Sequence, residues 1–361
     1  MSNESSTSLA SDELTANVLN AAQERFPLVE RPYAEIGVRL GIDEAEAFRR
    51  LSAAREAGIV RQVGAIFDTR ALGHASSLVA MEVASGQLER AVAVVNAHPG
   101  VSHNYLRDHE FNLWFTIAVP PEQELDVVVA RLAELSGARA CRPLPTLRLF
   151  KIGVALDATG RRRHDETGEA SYSEHEQRRA LGTALDAADI DFVREAQRDH
   201  ADTPRPFTRI AEQLGVPVPR ILEQARRLRD SGHMRRFAAI LNHRRAGFSA
   251  NGMAVWSVPV ARVEEVGRTM AGFRAVTHCY QRPTYPDWPD NVFTMIHGRE
   301  RSEVEAVVDA IRDSTGVAGH RVLYSTHEFK KVRLSYFTPE HERWAELCEA
   351  AAAAPATVPA T

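Results

Sequence analysis

The chain states its design twice. "RQVGAIFDTRALG", from Arg61, returns as "RRFAAILNHRRAG" from Arg235, 174 positions on. "HNYLRDHEFNLWFTI", from His103, returns as "HCYQRPTYPDWPDNVFTMI" from His278, 175 positions on. "LFKIG" around Phe150 returns as "EFKKV" around Phe329, 179 positions on, because "RPTYPDWPDN" is longer than "RDHEFN". Three matches in one order at nearly constant spacing mean internal duplication, so the two halves must fold alike. With 361 residues to divide, each half is long enough for its own core.

Each copy opens with helical segments. In "DEAEAFRRLSAAREAG" the apolar residues Ala47, Phe48, Leu51 and Ala54 recur at helical spacing, Asp43 is placed to cap the start, and Gly58 closes the end. A short helix ending in Gly41 precedes it, which is the cadence of a helix-turn-helix. "FTRIAEQLGVPVPRILEQARRLRDSG" repeats the plan in the second copy. A strand-rich half follows: "SSLVAMEV", the helix "LERAVAVVNAH", the His-Tyr-Arg strand, "NLWFTIAV", the helix "EQELDVVVARLAELSG" and "RPLPTLRLFKIG". That order is βαββαβ, a ferredoxin-like unit. The expected class is therefore α+β, a duplicated winged helix-turn-helix plus ferredoxin-like domain. The expected ranges are 12–66 and 67–154 for the first copy, a polar linker at 155–183, 184–240 and 241–340 for the second copy, and a partly disordered tail at 341–361.

Composition narrows the functional classes. The net charge of -4 gives no general pull toward nucleic acid, and the 44% hydrophobic content is ordinary for a soluble globular chain. No apolar run approaches a membrane span, and the polar N-terminus lacks the regions of a signal peptide, so a cytoplasmic protein is expected. Cys141, Cys279 and Cys348 are scattered and read as incidental thiols. No phosphate-binding glycine loop, dinucleotide fingerprint or H-E-x-x-H zinc motif is present, and "SEHEQRR" has the wrong spacing for zinc.

A helix-turn-helix raises the question of DNA. The first copy begins its recognition helix with Asp43, Glu44 and Glu46, which would repel phosphates. The second has Arg220, Arg226 and Arg227 but also Pro217 and Pro219, which look awkward for a helix. A packing and pairing element is the stronger reading.

The repeated phrase itself is chemical. Alternate residues of a strand share a face, so His103, Tyr105 and Arg107 project together, as do His278, Tyr280 and Arg282. The guanidinium suits a carboxylate, the imidazole suits an iron or a proton near neutral pH, and the phenol can hydrogen-bond or pass that proton. A solvated ladder of polar side chains is the plainer alternative. Duplication weighs against it, since idle surface positions diverge freely. Arg61, Arg70 and Lys151 accompany the first row, and Arg235, Arg236, Arg244, Lys330 and Lys331 the second. His109 has no counterpart, the second copy having Thr284 and Tyr285 there, and His243 stands where the first copy has Thr69. The copies are similar without being equivalent.

The helix-turn-helix plus βαββαβ plan resembles the Lrp/AsnC regulators. "RQVGAIFDTRALG", "HNYLRDHEFNLWFTI" and "THCYQR…NVFTMIHG" resemble the siroheme decarboxylases, over roughly residues 14 to 340. In that family two related subunits pair; here both are fused, which implies an internal pseudo-dimer, with further self-association left open. The resemblance implies removal of the C12 and C18 acetate carboxylates of siroheme to give 12,18-didecarboxysiroheme, in d-type or alternative haem biosynthesis. It implies no cofactor beyond the substrate's own iron macrocycle, no DNA and no membrane. His103 and His278 become candidate general acids or axial iron ligands, Tyr105 and Tyr280 proton donors, and His109 a further acid. Arg107 and Arg282 would hold carboxylates, helped by Arg61, Arg235, Arg236 and Lys330. The remaining alternatives are a ligand-responsive transcription regulator and a non-catalytic tetrapyrrole carrier.

Overall fold

The computed structural model describes residues 12–24, 26–152, 184–241, 250–298 and 300–353. The expected linker at 155–183, His243, Arg244 and the end of the tail lie outside them. The described residues form two compact units: one from residues up to Leu72 together with Thr146–Tyr324, the other from Gly73–Pro145 together with Ser325 onward.

The first unit holds both helix-turn-helix copies. In copy one these are α1 (Glu13–Glu24), α2 (Pro32–Leu40), α3 (Glu44–Glu56) and strand β1 (Val60–Phe67). The Asp43 side chain accepts from the Glu46 N–H at 2.7 Å, capping α3. Gly41, at φ 70°, takes the left-handed conformation that ends α2. Ala47, Leu51 and Ala54 are buried, while Phe48 packs edge-on against Tyr33 at 5.1 Å. Copy two supplies α6 (Ala187–Ala196), α7 (Pro206–Leu214), α8 (Val218–Asp230) and β7 (Met234–Leu241), labels following chain order. The prolines that look awkward in the sequence begin α8: Pro217 is its N-cap and Pro219 lies in its first turn, where no intrahelical N–H is required. Strands β1 and β7 then pair antiparallel, with Gly64 opposite Ala238 and Ala65 opposite Phe237. Around this ribbon Phe26 meets Phe237 at 5.3 Å and Phe207 meets Phe237 at 4.9 Å. The helix-turn-helix copies thus pair with each other through a shared ribbon and aromatic core.

The ferredoxin-like part of copy one lies in the second unit: β2 (Ala75–Glu82), α4 (Leu88–Ala97), β3 (Val101–Arg107), β4 (Leu113–Val119), α5 (Leu125–Ser136) and β5 (Ala140–Pro145). Copy two has β8 (Ala250–Trp256), α9 (Val263–Gly272), β9 (Val276–Gln281), β10 (Val292–Gly298), α10 (Arg301–Thr315) and β11 (His320–Lys331). Strand order is β5-β2-β4-β3 in one and β11-β8-β10-β9 in the other, the same antiparallel arrangement twice. The apolar faces close on their helices, around Val79, Phe115, Ile117 and Leu132 in copy one and Ala254, Trp256, Ile296 and Ile311 in copy two.

One expectation fails. "RPLPTLRLFKIG" is not a single strand of its own copy. It divides between β5, paired with β2, and β6 (Arg148–Ile152), which pairs with β9 of copy two, Leu149 opposite Tyr280. In turn β11 pairs with β8 through His320–Tyr324, and its later residues pair with β3 of copy one, Glu328 opposite Tyr105. The compact units therefore do not follow the consecutive ranges 67–154 and 241–340. The cause is the open edge: β3 and β9 would each expose a row of backbone groups, and the exchanged strand satisfies it. Phe150 fills the position this creates, since a Cβ on Gly267 would lie 2.4 Å from its ring. Helix α11 (Glu340–Ala353) follows, in the second unit. No described helix is long and apolar enough to cross a membrane.

Candidate functional site

Each copy of the phrase is a hairpin closed in the same way. The Arg107 N–H donates to the Asn112 carbonyl and the Arg282 N–H to the Asn291 carbonyl, both at 2.8 Å. The Asn112 amide brackets Val83, accepting from its N–H at 3.0 Å and donating to its carbonyl at 2.9 Å. Asn291 does the same to Val258, at 3.0 and 2.8 Å. The asparagine that recurs in the phrase is thus a backbone clamp at the mouth of the hairpin.

Clamped this way, alternation puts the row on one face. His103 and Tyr105 stack with ring centroids 6.1 Å apart and planes 28° apart; His278 and Tyr280 repeat this at 6.0 Å and 27°. The Arg107 guanidinium lies 5.8 Å from the Tyr105 ring and 6.0 Å from Trp114. Arg282 lies 4.8 Å from Tyr280 and 5.4 Å from Phe293, the residue matching Trp114. Aromatic faces hold a guanidinium in a place where water is scarce. Both arginines are buried, 5% and 8% exposed. Burial pushes each down to about 10, still a cation at neutral pH. A buried cation is a strong draw for a carboxylate.

The histidines are oriented through one ring nitrogen. His103 Nδ1 lies 3.0 Å from the Ser102 hydroxyl, which also meets Thr116 at 2.8 Å; His278 Nδ1 lies 2.9 Å from the Thr277 hydroxyl. This directs ligand chemistry to Nε2. His109 Nδ1 accepts from the Phe111 N–H at 3.0 Å, with its ring stacked on Phe111 at 6.2 Å.

The other basic candidates separate cleanly. Arg235 pairs with Asp68, its Nη2 2.8 Å from Oδ2, and its charge acts on the Tyr280 phenol. Burial raises the Tyr280 phenol, against the opposing pull of Arg282, Arg235 and Arg70. Arg70 donates to the Thr146 carbonyl at 2.8 Å, beside Leu147, whose N–H bonds the Gln281 carbonyl at 2.9 Å. This places Arg70 at the Tyr280–Arg282 end of β9. Arg61 and Arg236 are exposed on the β1–β7 ribbon. Lys330 is engaged within the protein. Its ammonium donates to the Asn96 and His98 carbonyls, at 2.8 and 3.2 Å, at the C-terminal end of α4. Lys151, its counterpart, donates to the Phe273 carbonyl at 2.8 Å at the end of α9. The duplicated lysines cap helices. Lys330→Met is accordingly expected to lower stability by about 1 kcal/mol, checked by urea melts.

The sequence reading missed Asp68, 5% exposed and anchored on Arg235. A signal for it existed: the repeat has Asp68 in one copy and Asn242 in the other. Among the described residues, no group of three or more His, Cys, Asp or Glu is placed to hold a metal ion. The recognition helices also engage their own charges. Arg226 donates to the Leu28 carbonyl at 2.7 Å, Arg227 pairs with Asp189, and Arg220 pairs with Glu223 at 3.3 Å. Glu44 pairs with Arg31, and Glu46 with Arg49 and Arg50, each at 2.7 Å.

Known proteins match this architecture. The model of an AsnC-like ligand binding domain matches residues 71–151 and 245–330, and that of a siroheme decarboxylase NirDL-like HTH domain matches 16–61. A siroheme decarboxylase of Hydrogenobacter thermophilus is 40% identical over 91% of this chain and 96% of its own. A siroheme decarboxylase beta subunit of Methanosarcina barkeri is 40% identical over 41% of this chain and 97% of its own, so a whole separate subunit corresponds to part of this one. The crystal structure of the siroheme decarboxylase NirDL with an iron-uroporphyrin III analogue superposes with a TM-score of 0.75 at 35% identity, covering 93% of this chain and 98% of that one. With 40% identity to such an enzyme over nearly its full length and both copies of the His-Tyr-Arg row in place, the chain belongs to the siroheme decarboxylase family, its two related halves fused in one polypeptide.

Proposed function

We propose that this chain is a carbon–carbon lyase that converts siroheme to 12,18-didecarboxysiroheme, removing the C12 and C18 acetate carboxylates as CO2 on the way to d-type haem or haem. The observation that carries this reading is the buried arginine of each row, a cation held between aromatic rings beside a tyrosine and a histidine. Such a row suits a macrocycle ringed by carboxylates.

In the reaction, Arg107 and Arg282 hold substrate carboxylates bidentately, with Arg235 and Arg70 adding charge beside Tyr280. A proton from Tyr280 or His278, or from Tyr105 or His103, goes to the pyrrole system. The bond between the acetate methylene and its carboxylate then breaks, CO2 leaves, and the electron pair passes into the ring. A proton completes the methyl group and the ring proton is returned. Each cycle consumes one proton per CO2 and neither gains nor loses electrons, so the chemistry calls for no cofactor beyond the substrate. In this reading Nε2 of His103 or His278 serves as general acid or as axial ligand to the siroheme iron, with His109 a further acid. A poorly solvated carboxylate departs more readily than a hydrated one, and the fixed guanidinium charges stabilise the rest. DNA is not a ligand in this reading, in which Arg226 and Arg227 of the second recognition helix serve contacts within the protein.

Anaerobic incubation of the purified chain with siroheme, followed by mass spectrometry of the tetrapyrrole, tests this. Loss of two CO2 is expected. Siroheme bound and recovered unchanged would make the protein a carrier or sensor.

A further inference from the structure

The basic residues near the second row are not independent of one another. Asp68 connects them. Its Oδ2 accepts from Arg235 Nη2 at 2.8 Å and Nε at 3.3 Å. Its Oδ1 accepts from the backbone N–H groups of Arg70 at 3.0 Å and Ala71 at 2.9 Å. Its own N–H donates to the His233 carbonyl at 2.9 Å, tying the turn to the strand that carries Arg235. One carboxylate, 5% exposed, thus fixes the plane of one guanidinium and the backbone from which the other springs. Arg70 then reaches the Thr146 carbonyl, next to the residue bonded to Gln281 of the second row. A carboxylate bonded this fully is a rigid anion, and a rigid anion orients cations at little further entropic cost.

We propose that Asp68 is a positioning residue for substrate carboxylates, setting Arg235 and Arg70 beside the Tyr280–Arg282 end of the second row. The proposal rests on the tetrapyrrole reading above. It also explains why the copies are unequal. The position matching Asp68 in the second copy is Asn242, an amide with no charge to orient a guanidinium. By sequence only the first copy carries a carboxylate at this position, and it anchors the pair beside the row of copy two. Asp68 itself touches no reacting atom; it acts through the arginines.

The test uses the full chain and iron uroporphyrin III as probe, titrated by absorbance at several salt concentrations, with siroheme turnover in parallel. Asp68→Asn is expected to weaken probe binding on the order of tenfold, the size of coupling found within one ion-pair network. It should flatten the salt dependence and raise KM for siroheme more than it lowers kcat. In an Arg235→Ala background the same change should have a much smaller effect, and Asp68→Glu should recover part of the affinity. Equal loss in both backgrounds, or unchanged affinity in Asp68→Asn, overturns the proposal. If wild-type protein binds the probe but leaves siroheme intact, the decarboxylase reading fails while the Asp68 titrations still decide this one. Wild-type protein that binds no probe overturns this proposal, while siroheme turnover still decides the decarboxylase reading.

Discussion

Replacing Arg282 by alanine is expected to lower siroheme decarboxylation by at least about a hundredfold, the loss that follows removal of one preorganised charge from a site that excludes water. The guanidinium is buried between Tyr280 and Phe293, at 4.8 and 5.4 Å, and burial holds it down to about 10. It is therefore charged at neutral pH and poorly screened by solvent, so the carboxylate it holds gains more than it would at a surface. Arg282→Lys should recover only a small part of the rate, because an ammonium keeps the charge but loses the planar fork and its stacking. Anaerobic turnover measured beside a thermal melt separates loss of function from loss of fold. Full activity in Arg282→Ala would remove this residue from the mechanism.

Acid is expected to destabilise the unit built from Gly73–Pro145 and Ser325 onward, between about pH 6.5 and about pH 4. His98 and His341 lie there with ring centroids 5.7 Å apart, and Trp344 stands 4.3 Å from His98. Both are buried, 0% and 3% exposed. Burial takes His98 down to about 3, with His341 and Lys330 pushing the same way. Burial takes His341 down to about 4, with His74 adding to the fall and Glu340 and Glu122 opposing it. Because the folded values lie below the unfolded one, the unfolded chain binds the proton first. Stability is complete above about pH 6.5 and drains away as pH falls toward 4, by about 3 kcal/mol for each histidine in the two-state limit. Urea midpoints followed by tryptophan fluorescence from pH 8 to pH 4 measure the slope. His341→Phe keeps a ring against His98 and removes one titration, so it should flatten the slope by about half. A midpoint independent of pH in the wild type would show that these rings do not carry the effect.

Much of the protein was legible beforehand because it is local. The 174- to 179-position offset, the helix cadence around Gly41 and Asp43, and the βαββαβ alternation are properties of neighbouring residues. So is the His-Tyr-Arg row, since a strand sends alternate side chains to one face whatever it pairs with. The row therefore appears in the structure as expected, with nearly equal stacking in both copies.

What the tertiary structure alone decided concerns partners. Lys330 reads as a free cation in sequence, yet its register on β3 carries it to the end of α4, where bare carbonyls claim it. Nothing in the sequence joins Asp68 to Arg235, yet β1–β7 pairing brings the two together from 167 positions apart. Strands β6 and β11 read as the ends of their own copies, yet each covers an edge in the other copy. Periodicity determines which face a side chain occupies, and a sequence carries that openly. Which group waits opposite depends on backbone pairing between distant segments, and only the folded chain brings those together.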